Sequence, residues 1–213
     1  MSPTAPFPSL KRGLVAILRG LDPKNAVAVG QAVHAAGIEA IEVPLNSPQP
    51  FASITQLVEA LPANALIGAG TVLSPQDVDD LNEAGGRLLV SPNIDAGVMT
   101  RAADHGMVTM PGVFTPTEAF QAIRLGASAL KFFPASVLGA GGIAAVRAVL
   151  PKDVPIGAVG GVSEKDFVGY KAVGVTVFGL GSSLFKPGMS AEQVGERARA
   201  AVAAWDSAFG GGA

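Results

Sequence analysis

The sequence predicts a single α/β domain closed as a (β/α)8 TIM barrel over residues 1–213. Three observations carry this prediction. Short apolar runs alternate with helix-period segments eight times along the chain. The runs are continuously apolar, which is the pattern of parallel strands buried on both faces. The 213 residues divide into repeats of roughly 20–28 residues, and the total lies near the lower limit for this barrel. An open doubly wound sheet is the alternative. It uses fewer strands and one dominant glycine-rich first turn, and no such turn follows the first run here.

In chain order, the predicted strands are Leu14–Leu18, Ile38–Val43, Leu66–Gly70, Arg87–Ser91, Met107–Met110, Ala129–Phe133, Ile156–Val159 and Val175–Leu180. Helices fall between them. Asp22-Pro23, Ser74-Pro75 and Thr115-Pro116 each place a capping side chain before a proline at the first helical position. Glu118, three residues after Thr115, completes a capping box, and Ser163 with Asp166 suggests another. Gly37, Gly85, Gly106, Gly126 and Gly174 stand where helices end and the chain turns left-handed. Gly139-Ala140-Gly141-Gly142 reads as a helix-entry loop. The stretches 1–12 and 207–213 read as flexible ends.

Composition narrows the function. A hydrophobic fraction of 49% and a mean hydropathy of +0.42 supply a large core, with apolar surface left for an oligomer interface. A net charge of −2 with no basic block argues against nucleic-acid binding. With no cysteine, disulfides and thiolate metal sites are excluded. The first nine residues lack the apolar core of a signal peptide, and no apolar run approaches the ~20 residues of a membrane span. The expectation is a soluble cytoplasmic protein with no membrane or nucleic-acid partner.

In such a barrel, chemistry gathers at the C-terminal ends of the strands. The polar residues predicted there are Arg19, Glu42, Thr71, Pro92 with Asn93, Lys131, the pair Gly160-Gly161, and Gly181-Ser182. Lys131 sits in the apolar run Ala129–Pro134. Burial favours its neutral, nucleophilic amine. A structural Lys–Glu pair is the alternative. Glu39 and Glu42 differ by three and so face opposite sides of a strand. Glu42, nearer the mouth, is the candidate interior carboxylate for proton transfer, or else a simple counter-ion. The two glycine loops, Val159–Ser163 and Gly179–Ser183, suit phosphate binding by backbone N–H groups, and neither has the lysine of a P-loop. His34 and His105 fall late in helices, away from the mouth, so no zinc site is expected; a magnesium site built from carboxylates is the alternative, though the mouth shows few of them.

These residues resemble a known family, the bacterial keto-deoxy-phosphosugar-acid aldolases of KDPG/KHG type. The matching stretches are Ala16–Gly20, Ile41–Pro48, Ile67–Leu73, Ser91–Asn93, Leu130–Pro134, Val159–Val162 and Gly179–Ser182. Ser91 stands where the family carries threonine. The resemblance implies a class I aldolase with Lys131 as Schiff-base nucleophile and Glu42 as proton shuttle. It implies substrate contacts at Arg19, Thr71, Pro92, Gly160, Gly161, Gly181 and Ser182. It further implies no metal or other cofactor beyond the covalent imine, pyruvate and glyceraldehyde 3-phosphate as products, and a homotrimer. Pro44–Pro48 points to the galactonate configuration of the sugar acid, with the gluconate epimer or dual specificity as the alternative. A phosphosugar isomerase or a non-catalytic phosphosugar-binding protein would share the glycine loops but has no use for Lys131.

Overall fold

The computed structural model describes residues 4–210. Its strands are β1 (Leu14–Ile17), β2 (Ala40–Pro44), β3 (Leu66–Gly70), β4 (Leu88–Val90), β5 (Val108–Met110), β6 (Gly112–Val113), β7 (Leu130–Phe132), β8 (Ile156–Val159) and β9 (Val177–Leu180). The helices are α1 (Pro23–Ala35), α2 (Pro50–Ala60), α3 (Pro75–Glu83), α4 (Ala96–Asp104), α5 (Pro116–Arg124), α6 (Ala135–Arg147), α7 (Phe167–Lys171) and α8 (Ala191–Phe209). All strand pairs are parallel, in the order β5-β4-β3-β2-β1-β9-β8-β7-β6.

The two ends of this sheet are one barrel strand in two pieces. β5 pairs with β4, β6 pairs with β7, and Pro111 joins them. Proline has no N–H to donate, so the ladder breaks there. Across the break, the Ala129 and Lys131 N–H groups donate to the carbonyls of Thr109 and Pro111 at 3.1 and 3.0 Å, which closes the ring. The prediction of eight unbroken strands is corrected at this point only.

The strands bury both faces, and their side chains alternate. Leu14, Ile41, Leu130 and Phe178 face the helices. Val15, Ala40, Met110, Ala129 and Val177 form a separate inner cluster. That parity places Glu42 with Ala40, and Lys131 with Ala129, inside the barrel. Glu39 has the other parity and accepts the Lys11 N–H at 2.7 Å.

The helix signals read from sequence hold. Asp22, Ser74 and Thr115 cap α1, α3 and α5, each with proline in the first turn. All five helix-ending glycines have φ between 63° and 104°. Gly139 lies within α6 with φ 68° and ψ 167°, so the predicted entry loop is a break one turn into the helix. The Ser163 capping box starts only a 3-10 turn, Glu164–Asp166, ahead of the short α7.

The ends are corrected more substantially. Thr4 is 6% exposed, and its hydroxyl bonds to the side chains of Thr109 and Ser128 at 3.2 and 3.0 Å. Ala5 bridges to Val108, and Phe7 and Leu10 pack on the inner cluster. This segment plugs the lower mouth of the barrel, where apolar interior would otherwise meet water. At the other end, α8 runs to Phe209, whose ring stacks on Trp205 at 4.6 Å, and Lys171 Nζ donates to the Ala208 carbonyl. Residues 1–3 and 211–213 of the predicted ends lie outside the described residues.

If the plug matters, deleting residues 1–9 costs about 2 kcal/mol of stability in lost apolar burial and hydrogen bonds. The expected thermal midpoint drops by about 5 °C for a chain of this size. An unchanged midpoint would mean that the segment is only a tail.

Candidate active site

Glu42 and Lys131 are 2% and 6% exposed, and both point into the upper half of the barrel. Lys131 lies between Gly112 and Gly157 in register, and Glu42 between Ile17 and Gly68. Small neighbours leave room in the interior for two long polar side chains. Gly70 lies directly against the carboxylate. A Cβ there would stand 1.9 Å from Glu42 Oε2, so any larger residue would displace the carboxylate.

Neither group is fully solvated or fully paired. Lys131 Nζ donates to the Ser91 carbonyl at 3.0 Å and lies 4.6 Å from the centre of the Phe133 ring. Glu42 Oε2 is buried with no hydrogen-bond partner. Loss of water dominates both titrations. Burial pushes the Glu42 carboxyl up to about 7, against the opposing pull of Lys131 and Arg19. Burial lowers the Lys131 ammonium to about 8, with Glu42 raising it and Arg19 lowering it further. A carboxyl and an amine thus titrate close together near neutrality.

Above them opens a cleft of about 410 Å³, walled by Arg19, Phe133, Gly160, Gly161, Gly181, Ser182 and Lys186 among others. Gly160 and Gly161 have φ of 91° and 71°, a turn that side-chain-bearing residues rarely adopt. The Ser183 hydroxyl donates to the Val162 carbonyl at 3.1 Å, which ties the two glycine loops together. Bare backbone beside two cations is a surface suited to an anion. Phe133 links the regions, since it both walls the cleft and covers Lys131.

The structure therefore gathers Arg19, Gly160, Gly161, Gly181 and Ser182 on one cleft, with Glu42 and Lys131 beneath. Thr71 and Pro92 are outside its wall. They follow Gly70, which cradles Glu42, and Ser91, which holds Lys131. Thr71 is a β-branched residue at φ 59°, a strained conformation that tends to concentrate at functional sites. Sequence reasoning assigned no individual role to Phe133, Lys186 or the Ser91 carbonyl, and Asn46 entered only as part of the Pro44–Pro48 stretch. Lys186 carried only the faint signal of following a glycine loop, and the Ser91 carbonyl carried none.

His34 is half-buried in the last turn of α1, and His105 caps α4, bonded to Asp79 at 2.7 Å. Among the described residues, no three His, Cys, Asp or Glu side chains are grouped to hold a metal ion. No helix among them is long and apolar enough to cross a membrane.

Comparison with known proteins agrees with this geometry. The family model described as KDPG and KHG aldolase matches residues 9–199. The chain is 59% identical over 206 residues to the probable 2-dehydro-3-deoxy-6-phosphogalactonate aldolase of Rhizobium meliloti (strain 1021), covering 97% of each chain. It is 47% identical over 198 residues to the 2-dehydro-3-deoxy-6-phosphogalactonate aldolase of Escherichia coli (strain K12), covering 93% of this chain and 97% of that one. A solved structure named native KDPGal superposes with a TM-score of 0.93 at 45% identity, over 96% of this chain and 99% of the other. A buried lysine and carboxylate beneath a cleft lined by cations and glycine backbone, on a barrel matched over almost its full length, place this chain in the KDPG and KHG aldolase family, as a carbon–carbon lyase.

Proposed function

We propose that this chain cleaves 2-dehydro-3-deoxy-6-phosphogalactonate to pyruvate and glyceraldehyde 3-phosphate through an imine on Lys131, without a metal. One observation carries the assignment of roles: a buried lysine of lowered pKa shares the barrel interior with a buried carboxyl of raised pKa. Burial lowers the Lys131 ammonium to about 8, so the neutral, nucleophilic amine is far more accessible near neutral pH than in an ordinary lysine. The galactonate configuration follows the names of the two relatives and the Pro44–Pro48 stretch.

In this reading the neutral Lys131 amine adds to the C2 ketone, and the carbinolamine loses water to give an iminium. The Glu42 carboxylate takes the proton from the C4 hydroxyl. The C3–C4 bonding pair moves into the iminium, which releases glyceraldehyde 3-phosphate and leaves an enamine. The Glu42 carboxylic acid returns the proton to C3, and water hydrolyses the imine to pyruvate and free amine. Arg19, Gly160, Gly161, Gly181 and Ser182, with Lys186, bind the anionic ends of the substrate. Thr71 and Pro92 shape the rim over the pyruvyl group. Binding far from the reacting carbons then orients C2 against Lys131.

Borohydride trapping with pyruvate, read by intact mass, tests the nucleophile. A pyruvyl adduct on the parent, mapped to the Lys131 peptide and absent in Lys131→Ala, is expected. No adduct on folded parent protein would remove the imine mechanism and favour a phosphosugar isomerase or a binding protein. Parallel rates with the galactonate and gluconate epimers settle the sugar.

Glu42 acts first as base, so turnover rises with pH as its carboxyl ionises near 7, and rises further as Lys131 loses its proton near 8. Glu42→Gln is expected to lower kcat by roughly 10²–10⁴-fold, the range for lost general acid–base catalysis, and to remove the Glu42 part of the acidic limb while the Lys131 part stays, with KM nearly unchanged. Near-normal turnover in this variant removes its assigned role.

The family resemblance also leads us to read the chain as one protomer of a homotrimer. A sedimentation mass of three chains is expected, and a mass of one chain rejects it.

A further inference from the structure

Arg19 occupies a distinctive place. Its side chain walls the cleft, and its charge also acts on both Glu42 and Lys131 below. Yet it is exposed, on the turn after β1, and a long flexible side chain there has many orientations to choose from. Among the described residues its one side-chain hydrogen bond is to Asn46, where Nη1 donates to the amide oxygen at 2.6 Å. Asn46 lies on the turn after β2. The same two turns are joined a second time by the Gly20 N–H, which donates to the buried Ser47 hydroxyl at 2.9 Å. They behave as one latched unit at the mouth.

The anchor of Arg19 is a neutral side chain. Two other arginines are fixed by carboxylates, Arg12 on Asp206 at 2.7 Å and Arg101 on Asp79 at 2.6 Å, while Arg87 and Arg147 are held by backbone carbonyls. A carboxylate at position 46 would aim Arg19 equally well, but it would cancel the charge that an acidic substrate needs. An amide oxygen fixes the direction of the guanidinium and leaves its charge and its other N–H groups free.

We propose that Asn46 is a positioning residue for the cleavage reaction, its amide oxygen aiming Arg19 into the cleft through an uncharged anchor so that the full positive charge meets an anionic group of the substrate. The proposal rests on the roles given above to Lys131 and the cleft. Asn46 itself is exposed, so its substitution leaves the barrel intact.

The test is steady-state cleavage of 2-dehydro-3-deoxy-6-phosphogalactonate by Asn46→Ala, Asn46→Asp, Arg19→Ala and the Asn46→Ala/Arg19→Ala double variant, each over a pH series. Asn46→Ala is expected to raise KM about tenfold with a smaller loss in kcat. Asn46→Asp restores the hydrogen bond yet raises KM as well, because Arg19 is then paired. In the Arg19→Ala background the Asn46 substitution becomes silent. Arg19 freed from its anchor also holds the Glu42 carboxyl down less strongly, so the acidic limb of Asn46→Ala moves to higher pH.

A merely structural turn residue would behave differently. Its penalty would be repaired by aspartate and would persist without Arg19. Either of those results, or an unchanged KM in Asn46→Ala, overturns the proposal. Borohydride trapping with pyruvate keeps the two levels apart. An adduct on Lys131 alongside an unchanged KM in Asn46→Ala rejects the Asn46 role alone, whereas no adduct on the parent rejects the site on which it rests.

Discussion

The structure is organised around one electrostatic constraint: two ionisable groups of opposite type must sit inside a barrel without being neutralised by a tight ion pair. A carboxylate and an ammonium in contact hold each other charged, and a lysine held charged is no nucleophile. Here Lys131 leans on a neutral carbonyl and an aromatic ring, while one Glu42 oxygen has no partner at all. Burial then drives both toward their neutral forms, and their mutual attraction only partly opposes it. The glycines beside them, the strain at Thr71 and the ring of Phe133 follow from housing this pair.

The same arrangement fixes how the pair acts on stability. The Glu42 pKa is raised on folding, so between about 4.5 and 7 the native chain holds more protons than the unfolded one. Its contribution therefore falls as pH rises through that window. Lys131 has the opposite sign. Its pKa is lowered, the unfolded chain holds more protons between about 8 and 10.5, and its contribution recovers as pH rises there. The pair weighs most heavily on the fold between about 7 and 8, where proton transfer between carboxyl and amine chemistry needs both groups close to titration. A site that works near neutrality is thus least comfortable near neutrality, and the surrounding apolar core must absorb the difference.

Much of this was legible in the sequence because the signals are local. Continuous apolar strands, Ser74 and Thr115 before proline, and glycines at helix ends each act within a few residues. Lys131 stood out because a charge inside an apolar run conflicts with its surroundings, and strand parity separated Glu42 from Glu39. The rest depends on contacts between distant segments. Nothing near Thr4 announces that it will meet Thr109 and Ser128, so a structured plug looked like a tail. The break at Pro111 needs the pairing partners on both sides to be known. The roles of the Ser91 carbonyl and of Asn46 are held by atoms forty and twenty-seven residues away in sequence.

The site also separates two electrostatic tasks that compete if placed together. In the proposed reaction, substrate capture needs permanent charge in contact with water, and Arg19 and Lys186 line an open cleft beside bare glycine backbone. Imine chemistry needs the reverse, a dry interior where an amine sheds its proton. A full cation close to Lys131 would serve both ends of that proposal, because Arg19 would attract the substrate from above while its charge disfavours a second positive charge on the lysine below. That benefit lasts only while Arg19 remains a net cation facing the cleft. Pairing it with a carboxylate would cancel its field at Lys131 as well as its pull on the substrate, whereas a neutral anchor on the neighbouring turn preserves both. Distance, burial and the neutrality of the groups holding each cation thus divide the work between capture and catalysis.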